Sequence, residues 1–210
     1  NNRLHIDGPI DAATFDPKNG LVYADRADTG QIIIVNGKTD KTAGVISIGG
    51  DLEYIDYDPA TDRVYQNIVD PASIAVIDPA KNAVIAKWPA APASDLRGLA
   101  IDSAGKRLFS AGNGKLVMVD LTSGGVVASA TIPLEVDQIA FDAFKHRIYC
   151  PSATGELAVV QETTVGLESL GSVTVPRGTH SVAVDPATHA VWIVYGTPEN
   201  DFLMKLIPSP

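Results

Sequence analysis

Apolar and polar positions alternate in short runs along the whole chain, and Pro, Gly, Asn and Asp separate the runs. No stretch keeps the 3.6-residue spacing of an amphipathic helix, whereas short alternating runs are typical of half-buried strands. Between residues 53 and 88, the alternation predicts four successive strands: Glu53–Asp58, Arg63–Ile68, Ser73–Asp78 and Ala83–Trp88. The pattern therefore predicts an all-β protein.

This group of four strands recurs along the chain, and each copy has an aspartate between its first two strands. The aspartates are Asp16, Asp58, Asp102, Asp142 and Asp185, at spacings of 42, 44, 40 and 43 residues. An aspartate here favours a turn, because its carboxylate accepts hydrogen bonds from backbone N–H groups two residues on. A period of about forty residues with four strands is typical of a propeller blade. The sequence therefore predicts a five-bladed β-propeller of four-stranded antiparallel blades.

The two ends of the chain predict how this propeller closes. We expect residues 1–210 to form a single β-propeller domain, with inner strands starting near residues 11, 53, 97, 137 and 180. The fifth copy provides three strands, near Ser181–Asp185, Ala190–Tyr195 and Phe202–Ile207, and lacks a fourth. The segment Leu4–Ile6 precedes the first inner strand as Val45–Ile48 precedes the second. We expect this N-terminal strand to pair into the last blade, because pairing removes an exposed sheet edge.

Two kinds of segment recur within the copies. One is Asp-Pro-Ala-Thr-Asp-Arg-Val-Tyr at 58–65; the other is Ser-Ile-Ala-Val-Ile-Asp at 73–78 and Leu-Val-Met-Val-Asp-Leu-Thr-Ser-Gly at 116–124. These segments resemble the bacterial YVTN/YncE-type β-propeller repeat family, and the resemblance covers nearly the whole chain. It implies a blade type and no particular activity. Members of that family commonly have six or seven blades, whereas five copies are present here.

Composition excludes some partners and leaves the compartment open. The formal net charge is −9 and the 16 Lys and Arg residues are scattered, which disfavours nucleic-acid binding. No run of about 18 apolar residues occurs, so we expect no membrane span. The single cysteine, Cys150, forms no internal disulfide. Because the chain lacks an initiator Met, we expect a processed, periplasmic or secreted protein, and we expect a monomer.

Ionisable residues occupy one column of the aligned copies, five positions before each aspartate. They are Asp11, Glu53, Arg97, Asp137 and His180. Two and four residues further on, the inner strands are predicted to bury apolar side chains: Ala13, Ile55, Leu99, Ile139 and Val182, then Phe15, Tyr57, Ile101, Phe141 and Val184. Thr14 and Asp56 stand where the other copies have alanine. Equivalent positions of a closed ring surround its axis, so the charged column is predicted to encircle one mouth of the central channel.

The sequence leaves several ligands possible for this mouth of the central channel. Carboxylates with a histidine suit a divalent cation, whereas Arg97 favours an anionic or mixed-charge ligand. Solvated strand ends, with Arg97 paired to a carboxylate, are the third interpretation. Short loops favour a non-catalytic binding or scaffold module for a protein partner or small ligand. The alternative is a hydrolase or lyase using the central carboxylates Asp11, Glu53 and Asp137: a glycosidase-like enzyme, or a metal-assisted lyase or lactonase with His180 as a ligand.

Several further residues are interpreted as structural. Cys150 is expected to be a packed, inert thiol. Trp88 and Trp192 are expected to pack against neighbouring strands. The Gly-rich segments Gly49-Gly50 and Gly112-Asn113-Gly114 are predicted to be turns, because no Gly-Lys-Ser/Thr follows either. The other histidines are expected to be solvated: His5, His146 and His189.

Overall fold

A computed structural model describes residues 4–208 of the chain. These residues form nineteen strands and one helical segment, a 3-10 turn at Ala27–Thr29. Within this range, no helix is long and apolar enough to cross a membrane. The predicted all-β class is confirmed.

Two compact units divide the chain after Pro89, and each is described by itself. The first unit contains two four-stranded antiparallel sheets, in which hydrogen-bonded neighbours are consecutive in sequence. The first sheet consists of β1 (Ala13–Asp16), β2 (Leu21–Arg26), β3 (Gln31–Asn36) and β4 (Lys41–Ser47). The second sheet consists of β5 (Leu52–Asp58), β6 (Arg63–Ile68), β7 (Ser73–Asp78) and β8 (Ala83–Pro89). The strands predicted for the second copy therefore agree with the structure within one residue at each end.

The second unit begins at Ala90 and contains three antiparallel sheets. The third sheet of the chain consists of β9 (Leu96–Asp102), β10 (Arg107–Gly112), β11 (Lys115–Asp120) and β12 (Val126–Thr131). The fourth consists of β13 (Ala140–Asp142), β14 (Arg147–Ser152), β15 (Glu156–Thr163) and β16 (Gly166–Thr174). The fifth consists of β17 (Ser181–Val184), β18 (Val191–Gly196) and β19 (Asp201–Leu206). Five successive sheets of this kind define the five-bladed β-propeller class, as predicted.

One part of the predicted fold needs correction. The fifth sheet has three strands, and Leu4–Ile6 lies in no strand, so the N-terminal strand expected in the last blade is not observed. The segment is short and runs directly into Asp7-Gly8-Pro9, where Gly8 has a φ of 94°. Pro9 has no N–H to donate to a ladder. The His5 side chain instead forms a hydrogen bond with the Asp7 carboxylate, with Nε2 2.9 Å from Oδ1. The single-domain boundary at 1–210 stays a prediction.

The aspartate turns have the predicted geometry in four of the five copies. A backbone N–H two residues on donates to Oδ1 of the aspartate, at 2.8 Å for Asp16, 3.1 Å for Asp58, 3.0 Å for Asp142 and 2.9 Å for Asp185. These bonds fix the hairpin that joins the first two strands of each sheet. The third copy, at Asp102, is the exception.

The apolar face of the inner strands is buried in the middle of the chain. Ile55, Leu99 and Ile139 are 2%, 1% and 3% exposed. Tyr57 is also buried, and four members of the set are half-buried: Ile101, Phe141, Val182 and Val184. The prediction is wrong for Ala13 and for Phe15, which is 53% exposed. Near the Phe15 ring stands Gly37, which has no side chain to cover it; a Cβ placed there would lie 3.8 Å from Cε2.

Candidate functional site

Three of the five predicted site residues lie together in the second unit. Arg97, Asp137 and His180 line an open cleft of about 570 Å³. We call this cleft, with its full lining, the acidic cleft: Asp95, Arg97, Asn113, Leu134, Glu135, Val136, Asp137, Ala153 and His180. It contains three carboxylates, one guanidinium and one imidazole.

Strand starts position these side chains, as the repeat alignment predicted. Arg97 is the second residue of β9, and His180 directly precedes β17. Asp137 follows Val136, which forms an isolated antiparallel bridge with Ser152. The charged groups contact one another: Arg97 Nη2 lies 3.0 Å from Asp95 Oδ1, and His180 Nδ1 lies 3.6 Å from Asp137 Oδ2. The expectation that Arg97 pairs with a carboxylate is therefore confirmed, with a partner outside the predicted column.

Two acids of the cleft were missed by the sequence analysis. Asp95 and Glu135 stand two residues before Arg97 and Asp137, and both have left-handed backbone, with φ of 50° and 57°. The residue two positions before His180 is Gly178, with φ of 80°. Left-handed backbone costs an ordinary L-residue about 1–2 kcal/mol relative to glycine. Only the repeat alignment, extended by two positions, could have found them.

The Gly-rich segment beside this cleft is a turn, as predicted. Asn113 and Gly114 both have positive φ, 44° and 75°, which is the geometry of a two-residue hairpin between β10 and β11. Asn113 Nδ2 donates to Ser94 Oγ at 3.1 Å and ties the hairpin to the preceding loop. A Cβ on Gly112 would lie 2.3 Å from Ser94 O, so the close approach of the two segments requires glycine.

In the first unit, Asp11 and Glu53 lie beside a buried carboxylate that the sequence analysis also missed. The backbone N–H groups of Asp11 and Ala12 donate to Asp25 Oδ1, at 3.2 Å and 2.8 Å. The Gln66 amide donates to the Glu53 carbonyl at 2.8 Å and to Asp25 Oδ2 at 3.4 Å. Asp25 is 0% exposed. Burial raises the pKa of Asp25 to about 6, although these hydrogen bonds oppose the rise.

A second half-buried carboxylate of the first unit is Asp56. Its Oδ1 accepts hydrogen bonds from the Tyr57 N–H at 2.8 Å and from Thr14 Oγ1 at 3.4 Å. Burial raises the pKa of Asp56 and also that of the Tyr54 hydroxyl. The sequence signal at Thr14 and Asp56 therefore corresponds to a contact between neighbouring inner strands.

The structure thus places the five predicted residues in two groups. Arg97, Asp137 and His180 share the acidic cleft of the second unit. Asp11 and Glu53 belong to the first unit and contact the Asp25 and Gln66 pair through backbone atoms. The complete five-residue ring stays a prediction.

Most residues interpreted as structural behave as expected. Cys150 is fully buried, and burial raises the pKa of its thiol, so an inert packing role is confirmed. Trp88 packs near Tyr65, with ring centroids 5.7 Å apart. Of the histidines expected to be solvated, His146 is exposed as predicted, and its Nδ1 lies 3.0 Å from Glu162 Oε2. His189 is instead half-buried, and its Nδ1 lies 3.1 Å from Asp142 Oδ1.

Comparison with known proteins places the chain by its fold. No protein-family model matches the sequence, and no curated protein matches it. A structure of hydrazine synthase from Kuenenia stuttgartiensis aligns with 95% of this chain and 59% of its own, at 14% identity and a TM-score of 0.78. A structure of the mitotic checkpoint complex aligns with 92% of this chain and 60% of its own, at 10% identity and a TM-score of 0.76. At these identities, the likeness shows the fold alone.

Proposed function

We propose that this protein is a non-catalytic binding module and that the acidic cleft is its ligand site. The observation that carries the proposal is the convergence of three carboxylates, a guanidinium and an imidazole around an open cleft of about 570 Å³. Two of those acids, Asp95 and Glu135, are held in left-handed backbone that glycine adopts with less strain.

The charge of the cleft indicates which ligands fit it. With His180 neutral, the carboxylates of Asp95, Glu135 and Asp137 exceed the single guanidinium by two charges. Asp95 already balances Arg97. A cationic group, such as the ammonium or guanidinium of a protein partner or a small amine, would therefore be attracted. Leu134 and Val136 line the same cleft and offer apolar contact to the alkyl stem of such a group.

The alternative, a hydrolase or lyase using the central carboxylates, is less well supported. Acid catalysis needs a carboxyl group of raised pKa that touches the substrate. The acid whose pKa rises to about 6, Asp25, is fully buried and accepts two backbone hydrogen bonds. These contacts suit a structural role for Asp25.

The family and the compartment belong to the same proposal. The repeat segments support membership of the bacterial YVTN/YncE-type family, and the proposal includes a periplasmic or secreted monomer. These features agree with a binding role and do not specify the ligand.

The test is a calorimetric titration of the whole chain with two short peptides, one rich in Lys and one rich in Glu. We expect the Lys peptide to bind and the Glu peptide not to bind, with affinity falling as salt is added. Glu135→Gly should weaken binding by about tenfold, because it removes one carboxylate while relieving left-handed strain. Asp40→Gly is the matched control: Asp40 also has positive φ (53°) and lies outside the acidic cleft.

Equal binding of both peptides would contradict the proposal, as would equal losses in Glu135→Gly and Asp40→Gly. If the intact chain binds neither peptide and no small amine, the proposal is wrong and the charged residues of the cleft are solvated strand ends.

A further inference from the structure

A second cluster of metal-binding residue types lies in the second unit, apart from the acidic cleft. Asp102 ends β9, His146 lies in the turn between β13 and β14, and Glu162 is near the end of β15. One potential ligand atom from each residue lies within 4.8 Å of the other two. All three side chains line an open cleft of about 480 Å³.

Asp102 is buried, and one of its carboxylate oxygens lacks a hydrogen-bond donor within the described range. It is 4% exposed, and among residues 4–208 nothing donates a hydrogen bond to its Oδ2. Asp16 and Asp142 also have an unpartnered Oδ2, but their Oδ1 atoms accept N–H groups of their own turns. A buried carboxylate oxygen without a donor requires an explanation, and an ion is one of the few available.

The backbone holds the other two groups in place. The Glu162 N–H donates to the His146 carbonyl at 2.8 Å, which fixes the turn against β15. The Gln161 amide donates to the same carbonyl at 2.7 Å. Gly105 leaves the space that Asp102 occupies, because a Cβ at that position would lie 2.1 Å from Asp102 Oδ2.

Comparison among the copies shows that Glu162 is the residue that makes this cluster. The equivalent positions, which follow the third strand of each sheet in the same register, carry Gly37, Pro79, Leu121 and Pro208. None of these side chains can bind a metal. The next junction along the chain repeats the other two partners, Asp142 and His189, but has Pro208 in place of Glu162. The third ligand is therefore specific to one junction.

We propose that Asp102, His146 and Glu162 bind one divalent transition-metal ion, with Zn²⁺ as the best-fitting ion. An imidazole nitrogen with two carboxylate oxygens suits Zn²⁺ better than Ca²⁺ or Mg²⁺, which prefer oxygen ligands alone. With metal–ligand bonds of about 2.1 Å, tetrahedral ligands lie roughly 3.4 Å apart, so the three ligand atoms, now within 4.8 Å of one another, would have to adjust to that spacing. The open cleft admits water to the fourth position.

The charges around the cluster agree with a cation there. His146 Nδ1 lies 3.0 Å from Glu162 Oε2, and the Asp102 carboxylate lies close to both. Arg107 lines the same cleft, but its guanidinium is paired with the Asp120 carboxylate. A divalent ion would offset the two carboxylates and supply Asp102 with its missing partner.

The test is calorimetric titration of the metal-free whole chain with ZnCl₂, MnCl₂, CaCl₂ and MgCl₂, supported by visible absorption of the Co²⁺-loaded protein. We expect one Zn²⁺ per chain, with weaker binding of Mn²⁺ and none of Ca²⁺ or Mg²⁺. His146→Gln and Glu162→Gln should each weaken Zn²⁺ binding by roughly 10–100-fold and alter the Co²⁺ spectrum. These variants should fold, because the His146 side chain is exposed and glutamine keeps the size of the nearly buried Glu162 side chain.

His189→Gln is the matched control, because it removes a histidine paired to the equivalent aspartate at a junction without a third ligand. Zn²⁺ affinity unchanged in this variant and lost in the other two supports the proposal. The proposal is overturned if the intact chain binds no Zn²⁺, if His189→Gln weakens binding as much as His146→Gln, or if Ca²⁺ binds in preference to Zn²⁺.

Discussion

The two units differ in the solvent exposure of particular carboxylates that lie beside the starts of their inner strands. In the first unit, Asp25 is withdrawn from solvent and held by backbone N–H groups and the Gln66 amide. In the second unit, Glu135 and Asp137 surround an open cleft. Both groups belong to the beginning of inner strands or to residues beside them. The number of acids at a repeat position therefore does not identify a binding site, whereas their accessibility does.

One residue of the second strand accounts for much of this difference. Gln66 lies in β6, and its amide reaches the Glu53 carbonyl and the Asp25 carboxylate. The equivalent residues of β10 and β14 in the second unit are Ser110 and Cys150, which have no amide to extend. No amide therefore occupies this position in β10 or β14.

The largest effect is expected from removing this amide. Gln66→Met keeps the side-chain length but removes the hydrogen bonds that the amide donates to Asp25 Oδ2 and to the Glu53 carbonyl. We expect a loss of about 2–3 kcal/mol in the free energy of unfolding, because buried acceptors lose their partner. Urea unfolding at neutral pH measures the loss. Gln31→Met, at a half-buried glutamine of the same unit, should change stability by less than about 0.5 kcal/mol. Equal effects would mean that the amide has no special role.

The second-largest effect is expected in the pH dependence of stability, to which Asp25 of the first unit contributes. The pKa of Asp25 is raised to about 6 in the folded state, whereas an unfolded aspartate titrates near its ordinary value. Between about pH 4 and pH 6 the folded state therefore binds more protons, so this carboxyl group lowers stability as pH rises through that window. Above pH 6 the penalty is complete, and it amounts to at most about 3 kcal/mol.

Asp25→Asn should remove this penalty. We expect the variant to be about 1–2 kcal/mol more stable than the parent at pH 8, with no gain at pH 4, because the neutral amide keeps an oxygen for the two backbone donors. Urea unfolding across pH 4–8 measures the difference. Asp51→Asn, at an exposed aspartate of the same unit, is the control and should leave the slope of stability against pH unchanged. A stability gain that is constant with pH would contradict the assignment.

The smallest effect is expected in the acidic cleft. Asp137→Asn removes one partner of the exposed contact with His180, and such contacts contribute about 0–1 kcal/mol. We expect stability to change by less than about 0.5 kcal/mol while binding of the Lys peptide weakens. Thermal unfolding and titration of the same sample test both parts. A loss of stability as large as that of Gln66→Met would remove the contrast between the units.

The fold was largely predictable from the sequence because each strand pair carries its own local signal. Alternation defined the strands of the second copy, and the aspartate turns set the register of the hairpins. The sequence predicted a fourth strand for the last blade at Leu4–Ile6, and the structure has none there. Apolar spacing in a short segment does not show whether that segment pairs with another strand. The exposure of Phe15 depends on the missing side chain at Gly37, which lies more than twenty positions away.

The candidate site was predictable only in part. Repeat alignment finds Arg97, Asp137 and His180 because symmetry places equivalent residues alike. It finds Asp95 and Glu135 only when it is extended to two positions before the predicted column, and it does not find Asp25, whose partner Gln66 lies in another sheet. Asp102, His146 and Glu162 occupy three different positions of the repeat. Comparing one repeat position at a time therefore does not bring them together.

Across residues 4–208, every ladder between named strands joins strands that are consecutive in the chain, and this has a consequence for how the protein folds. Closing a short loop costs little conformational entropy, so each hairpin can form without waiting for distant segments. Low contact order within a blade favours rapid formation of that blade, although β proteins as a class fold slowly. A chain leaving the ribosome could therefore complete its sheets one after another, in the order in which their residues are synthesised.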